Sequence, residues 1–142
     1  MMQHYISFVV DGVVGKQRPR MGRGVVYTPS KTVKYEKRVR ELAKRAMETA
    51  HAEPSDGPIK IDITAVFSVP KSYTGAKRMK AISNETKPTK KPDIDNIVKS
   101  VLDGMNGVVY GDDKQVTELV AHKTYSSAGE GPHVIVKAYM ED

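Results

Sequence analysis

Five aspartates in one short stretch of a basic chain are the residues best placed to do chemistry. Asp93 and Asp95 stand one residue apart. Asn96, Lys99 and Asp103 follow, and Asp112 and Asp113 are adjacent, all between Lys90 and Gln115. The chain carries 23 Lys and Arg against 17 Asp and Glu, so a knot of carboxylates needs a reason. Three or four carboxylates at one point repel one another. A hard divalent cation removes the conflict: Mg²⁺ takes oxygen ligands, usually one or two carboxylates with waters and substrate phosphate. Such a site can activate water and stabilise the leaving oxygen in phosphodiester hydrolysis, and the residues do not choose between Mg²⁺ and Mn²⁺. Lys99 would then neutralise a phosphate or the charge developing on it.

The elements around these residues follow from local rules. Pro92 disfavours helix at Lys91, so the chain enters extended. Asp93 and Asp95 then point to one side, and either is a good N-cap for the next helix. Ile97, Val98, Val101, Leu102 and Met105 give that helix a buried face, and Lys99 lies one turn beyond Asp95. Gly104 and Gly107 read as helix-stop residues. Val108, Val109 and Tyr110 read as a short strand and Gly111-Asp112-Asp113 as a turn. Strand–turn–strand geometry is expected to bring that turn back beside Asp93 and Asp95.

Pro-Asp-Ile-Asp-Asn-Ile-Val-Lys at 92–99, Leu-Asp-Gly at 102–104 and Asp-Asp-Lys-Gln-Val at 112–116 together resemble the signature of the RusA-type Holliday-junction resolvases. These are small, often prophage-encoded endodeoxyribonucleases of DNA recombination and repair. The match is close over about residues 90 to 116 and looser in the order of elements outside it. The resemblance implies a homodimer that cuts four-way DNA junctions with Mg²⁺. It assigns catalytic metal binding to Asp93, Asp95 and Asp113, with Lys99 as the essential basic partner. Asp112 stands beside the matched aspartate and is counted with the ligands. Asn96 is expected to orient the metal loop or hydrogen-bond a carboxylate, and Asp103 to play a supporting structural part. A twofold junction matches a C₂ dimer with two sites for two symmetric cuts.

Composition bounds the rest. The 142 residues suit one domain, 39% hydrophobic and 28% charged, and no apolar run approaches the length of a membrane span. Met1 to Tyr5 lacks the basic start of a secretory signal, and there is no cysteine for disulfides or thiolate zinc sites, so a cytoplasmic protein is expected. His4, His51, His122 and His133 lack metal-ligand spacing. A net charge of +6 and a pI near 9.4 favour an anionic partner, nucleic acid first. Two segments concentrate the charge. Gly15 to Lys31 holds Lys16, Arg18, Arg20, Arg23 and Lys31 without an acid, and glycine and proline keep it from regular helix. Arginines there can grip phosphates. Pro70 to Lys91 carries seven cations against Glu85 and delivers Lys90 and Lys91 directly into Asp93.

Periodicity predicts strands at Tyr5–Val10, Ile59–Val69, Val116–Tyr125 and His133–Met140. Val13-Val14 resume a strand. A long helix starts at Thr28-Pro29-Ser30 and runs to about Ala50, and a shorter one spans Thr74–Ile82. The Ile59 strand is central or pairs with the first, and the Val116 strand is an edge or interface strand. The order β, long helix, β, helix, β, β predicts an α+β domain over residues 1–142, a mixed sheet with helices on one face. A competing reading is a non-catalytic basic DNA-binding module whose aspartates are caps and turn residues, since Asp favours such places. A calcium loop from Asp93 fails: Ile97, Val98 and Gly104 stand where a ligand, a glycine and a glutamate belong.

Overall fold

The computed structural model describes residues 1–27 and 29–141, without the side chains of Arg20 and Tyr27. Thr28, expected as the hydroxyl cap of the long helix, therefore lies outside the described residues. The elements in chain order are β1 (Met2–Asp11), β2 (Arg20–Gly22), β3 (Val25–Tyr27), α1 (Ser30–Thr49), β4 (Ile59–Phe67), α2 (Gly75–Ile82), α3 (Ile94–Met105), a 3₁₀ turn (Asp113–Gln115), β5 (Val116–Tyr125) and β6 (His133–Glu141).

Ile59, Ile61, Ile63 and Ala65 alternate with Lys60, Asp62 and Thr64, which puts every second side chain of β4 on one face. Those four are buried, as are Ile6, Phe8 and Val10 of β1 and Val134, Val136 and Ala138 of β6. These three strands and β5 form the main sheet in the order β1-β6-β4-β5, antiparallel throughout except for the parallel pair β4–β5. The Ile59 strand is central, as its pattern predicts, but its neighbours are β6 and β5 rather than β1. The Val116 strand is an edge, which accounts for its mixed pattern. The fold is α+β, with a mixed sheet and three helices. The buried face meets α1 through Tyr35, Val39, Ala43 and Met47, and α3 through Ile97, Val101 and Met105. No helix is long and apolar enough to cross a membrane.

Three expectations change. Gly104 does not stop α3; it lies inside the helix, where α3 crosses α1. A Cβ there would sit 2.6 Å from the Cβ and Cγ1 of Val39 and 3.0 Å from the carbonyl oxygen of Glu36. The glycine is a contact point between helices, and nothing in a single sequence separates that role from a helix end. Gly104→Ala should destabilise the protein by about 2–3 kcal/mol, the cost of overpacking a filled interface. A urea midpoint equal to that of the parent chain would mean the helices do not meet there.

Val108 to Tyr110 form a turn instead of a strand. Val108 and Val109 donate N–H bonds back to the carbonyl of Met105 at 3.0 and 3.1 Å, and all three side chains are buried. An apolar run can be buried under a helix end as well as in a sheet, and three residues carry no period to tell the two apart. Val13 and Val14 are likewise loop residues, half-buried against the core.

Candidate active site

Asp93 closes the connector and caps α3 in an extended conformation (φ −65°, ψ 147°), and Asp95 sits in the first turn. The main chain of α3 begins from Asp93, whose carbonyl accepts the N–H of Ile97 at 3.1 Å. Its side chain makes no capping bond. Both carboxylates are exposed, and among the described residues neither has an ion pair or side-chain hydrogen bond. They stand at the positive end of the helix dipole, where negative charge is tolerated. Lys99 is exposed one turn along α3 and is also free of ion pairs among the described residues.

Two contacts fix the approach to Asp93. Lys123, on β5, donates from Nζ to the carbonyls of Lys90 (2.6 Å) and Pro92 (3.0 Å). The loop after β1 lies against the head of α3: Lys16 donates its N–H to the carbonyl of Asn96 at 2.8 Å, and Ser100 donates from Oγ to the carbonyl of Val14 at 2.8 Å. Gly15 permits this approach, since a Cβ there would meet that of Pro92 at 2.7 Å. Between loop and helix lies a cleft of about 490 Å³, bounded by Gln17, Lys31, Lys91, Asp93 and Asn96. Asn96 lines it, close to Asp93, and its backbone carbonyl is held by Lys16.

Asp112 and Asp113 lie elsewhere. Asp112 caps the 3₁₀ turn: its carboxylate accepts the N–H of Lys114 at 3.4 Å. Gln115 Oε1 accepts the N–H groups of Gly111 and Asp112 at 2.8 and 3.0 Å, while Nε2 donates to the carbonyls of Ser55 and Gly57. Tyr110 places this turn against the far half of α3, since its hydroxyl donates to the carbonyl of Leu102 at 2.8 Å. Burial, and then the carboxylates of Asp113, Asp103 and Asp112, hold the Tyr110 phenol well above its ordinary pKa. Twelve helical residues span about 18 Å at 1.5 Å each, so the two aspartate pairs belong to opposite ends of α3. The expected return of the turn beside Asp93 does not occur within one chain. Among the described residues, no three acidic or histidine side chains gather as a metal cluster.

The cations divide as well. Arg18, Arg23, Lys90 and Lys91 are exposed. The side chain of Arg20 lies outside the described residues. Lys16 is different: its ammonium is paired with Glu36 at 2.6 Å and Asp103 at 3.2 Å, and all three side chains are only about a fifth to a quarter exposed. Burial alone would lower the Lys16 pKa, but hydrogen bonds to the two carboxylates, with their charges, outweigh it and hold the ammonium above its ordinary value. Lys16 thus ties the loop to both α1 and α3 instead of facing solvent, and Asp103 has its structural role in that pair. Lys16→Met leaves two carboxylates facing each other and should lower stability by about 1–2 kcal/mol. An unchanged urea midpoint would show that solvent screens the triad.

With this geometry in place, comparison with known proteins is informative. A family model described as Endodeoxyribonuclease RusA matches residues 12–138 of the chain. The chain belongs to the RusA family. That match takes in the basic loop, both aspartate pairs, β4, β5 and β6 as far as Ala138. A curated relative, the "Uncharacterized protein YqaN" of Bacillus subtilis (strain 168), is 40% identical over 82 residues. The match spans 56% of this chain and 56% of that protein, so the chain covers little more than half the length of the curated relative it matches.

Three positioning residues in this RusA-family chain escape sequence reading. Gln115 has a local signal, because Asp112-x-x-Gln115 has capping-box spacing. Lys123 has none, being a lysine on a strand that reaches across to the connector. Arg40 has none either; from α1 it donates to the carbonyls of Asn106 (2.9 Å) and Asp103 (3.3 Å), a cation at the negative end of α3.

Proposed function

We propose that the chain is a Mg²⁺-dependent, structure-selective endodeoxyribonuclease that resolves four-way DNA junctions by paired nicks and works as a homodimer, with Mn²⁺ able to replace Mg²⁺. One observation carries the reading: Asp93 at the rim of a cationic cleft and Asp95 beside it in the first turn of α3 are exposed carboxylates, uncommitted among the described residues, inside the stretch matched by the RusA family. Two such oxygens suit a hard cation that completes its shell with waters and phosphate. When bound, the ion supplies an activated water and charge neutralisation at the scissile phosphate. Asp93 and Asp95 hold it. Lys99 offsets charge on the phosphate oxygens, and Lys90, Lys91, Arg18, Arg20 and Arg23 grip flanking phosphates. Lys123 and Asn96 position the loop that carries Asp93.

Asp113 and Asp112 can join Asp93 and Asp95 only from a second copy, because α3 separates them within one chain. The homodimer thereby gains a chemical reason: each site takes Asp93 and Asp95 from one protomer and Asp113 from its partner. A second reading, a DNA-binding module without catalysis, draws support from the capping role of Asp112. One experiment separates them. A synthetic four-way junction and a linear duplex of the same arms are incubated with the protein, with Mg²⁺, Mn²⁺ or EDTA. Symmetric nicks on the junction alone, lost with EDTA, are expected. Tight junction binding without cutting in either metal would favour the binding module.

A further inference from the structure

The segment between β1 and α1, expected to be an irregular loop, contains a β-hairpin. β2 and β3 pair in the register Arg20↔Tyr27, Met21↔Val26 and Gly22↔Val25. The two-residue turn is Arg23-Gly24, with φ of +50° and +76°. Positive φ at both central residues is the tight hairpin turn whose twist matches that of the strands. The hairpin is not part of the main sheet.

Among the described residues, its apolar side chains Met21, Val25 and Val26 cover nothing. Met21 and Val26 face each other across the pair and so share one face; they are 70% and 61% exposed. Val25, near the tip, is 63% exposed, and none of the three joins the core. An isolated two-stranded hairpin is marginal in water, so an apolar pair left bare on it points to a partner. The surrounding charge says which kind. From Gly12 to Tyr35 there are six cations and no acid. A protein surface or a second copy of this basic arm would be a poor match, whereas a polyanion with an apolar interior is a good one. Duplex DNA is such a partner: phosphates outside, stacked bases within.

The root of the arm is held. Gln17 donates its N–H to Oγ1 of buried Thr32 at 3.3 Å, and Lys16 and Gly15 are fastened to the head of α3 beside Asp93. Six residues from Gln17 to Arg23 reach up to about 20 Å at 3.3 Å per residue. The arm therefore starts at the proposed cutting site and ends a few base pairs away.

We propose that the β2–β3 hairpin is a wedge, inserting Met21 and Val26 between base pairs at the branch point while Arg18 and Arg23 hold the phosphates on either side. Apolar side chains inserted at a base step unstack and kink it. A branch point is already partly unstacked, so the wedge costs less there than in linear duplex, and this difference selects the junction. The inference rests on the resolvase reading above.

The test uses the whole protein and a four-way junction with 2-aminopurine at the branch point. Binding by the parent chain should raise the fluorescence, as unstacking does. The double substitution Met21→Ser and Val26→Ser should abolish that rise and slow junction cleavage about tenfold to a hundredfold, with affinity for linear duplex within about threefold of the parent. The conservative pair Met21→Leu and Val26→Ile should keep both signals. Circular dichroism should show the parent melting curve for both variants. The wedge is overturned if the serine variant unstacks and cuts like the parent, or if it loses self-association in sedimentation, which would make the pair a contact between copies. Cleavage by the parent with a silent probe would overturn the wedge alone. A parent chain that neither binds nor cuts the junction would overturn the resolvase reading and the wedge with it.

Discussion

Asp95→Asn protein should bind a four-way junction at least as tightly as the parent chain and cut it on the order of 10³ times more slowly, the factor that several kcal/mol of lost charge stabilisation produces. The two halves of this result have different causes. Asp95 is exposed and, among the described residues, makes no side-chain hydrogen bond or ion pair, so its loss leaves α3 intact. Asn is also acceptable in the first turn of a helix. Removing one negative charge beside Lys91 and Lys99 makes the approach of a phosphate easier, so affinity holds or rises. Hydrolysis loses half of the carboxylate pair. Gel-shift titration in EDTA, paired with single-turnover cleavage in Mg²⁺, reads both. Binding and cutting lost together would show that Asp95 serves the fold or the DNA contact instead.

A heterodimer of two inactive proteins should regain half of the parent's sites, and an equal mixture that re-pairs at random about a quarter. Asp95→Asn and Asp113→Asn homodimers are each expected to be inactive. In a heterodimer with sites shared between protomers, one site receives both substitutions and the other receives neither. The intact site should nick one strand of the junction at close to the parent rate per site, without its symmetric partner. With sites confined to single protomers, every site in the mixture carries one substitution and no nick appears. The gain from near zero to one nick is at least as large as the loss in the single variants, and it needs no structural comparison. The motivation is the length of α3: Asp93 caps one end, while Tyr110 holds the Asp112–Asp113 turn against the other. Complete absence of complementation, with heterodimers demonstrated by mass, would remove the shared site.

Local features were legible in the residues. The alternation from Ile59, the helical stripe from Tyr35 and the extended entry at Pro92 each depend on a few neighbours, and each appears as expected. Asp93 as the residue before α3 follows from the same local chemistry. Features that depend on distant partners were not legible. Gly104 reads as a stop until Val39 is seen against it. Lys16 reads as one cation of a basic loop until Glu36 and Asp103 close around it. The hairpin at Arg23-Gly24 was not read from the residues at all, because arginine seldom takes positive φ and the strands are three residues long. The largest change was the placement of Asp113. A strand–turn–strand expectation brought it home, but β5 runs parallel to β4, and the helix crossing between them carries the turn to the far end of the sheet.

The order of the sheet also governs when the protein comes into being. β6 lies between β1 and β4, pairing Met2 with Glu141 on one side and Ile59 with Met140 on the other. Until residue 141 has left the ribosome, β1 and β4 have no common partner, and β1 has no partner in the sheet at all. Contacts between chain positions so far apart form slowly and late. A nascent or truncated chain can therefore carry the whole aspartate stretch without the sheet that holds it. For a protein proposed to cut DNA, that ordering means β6 must be made before the chain is dangerous to the genome it is made from.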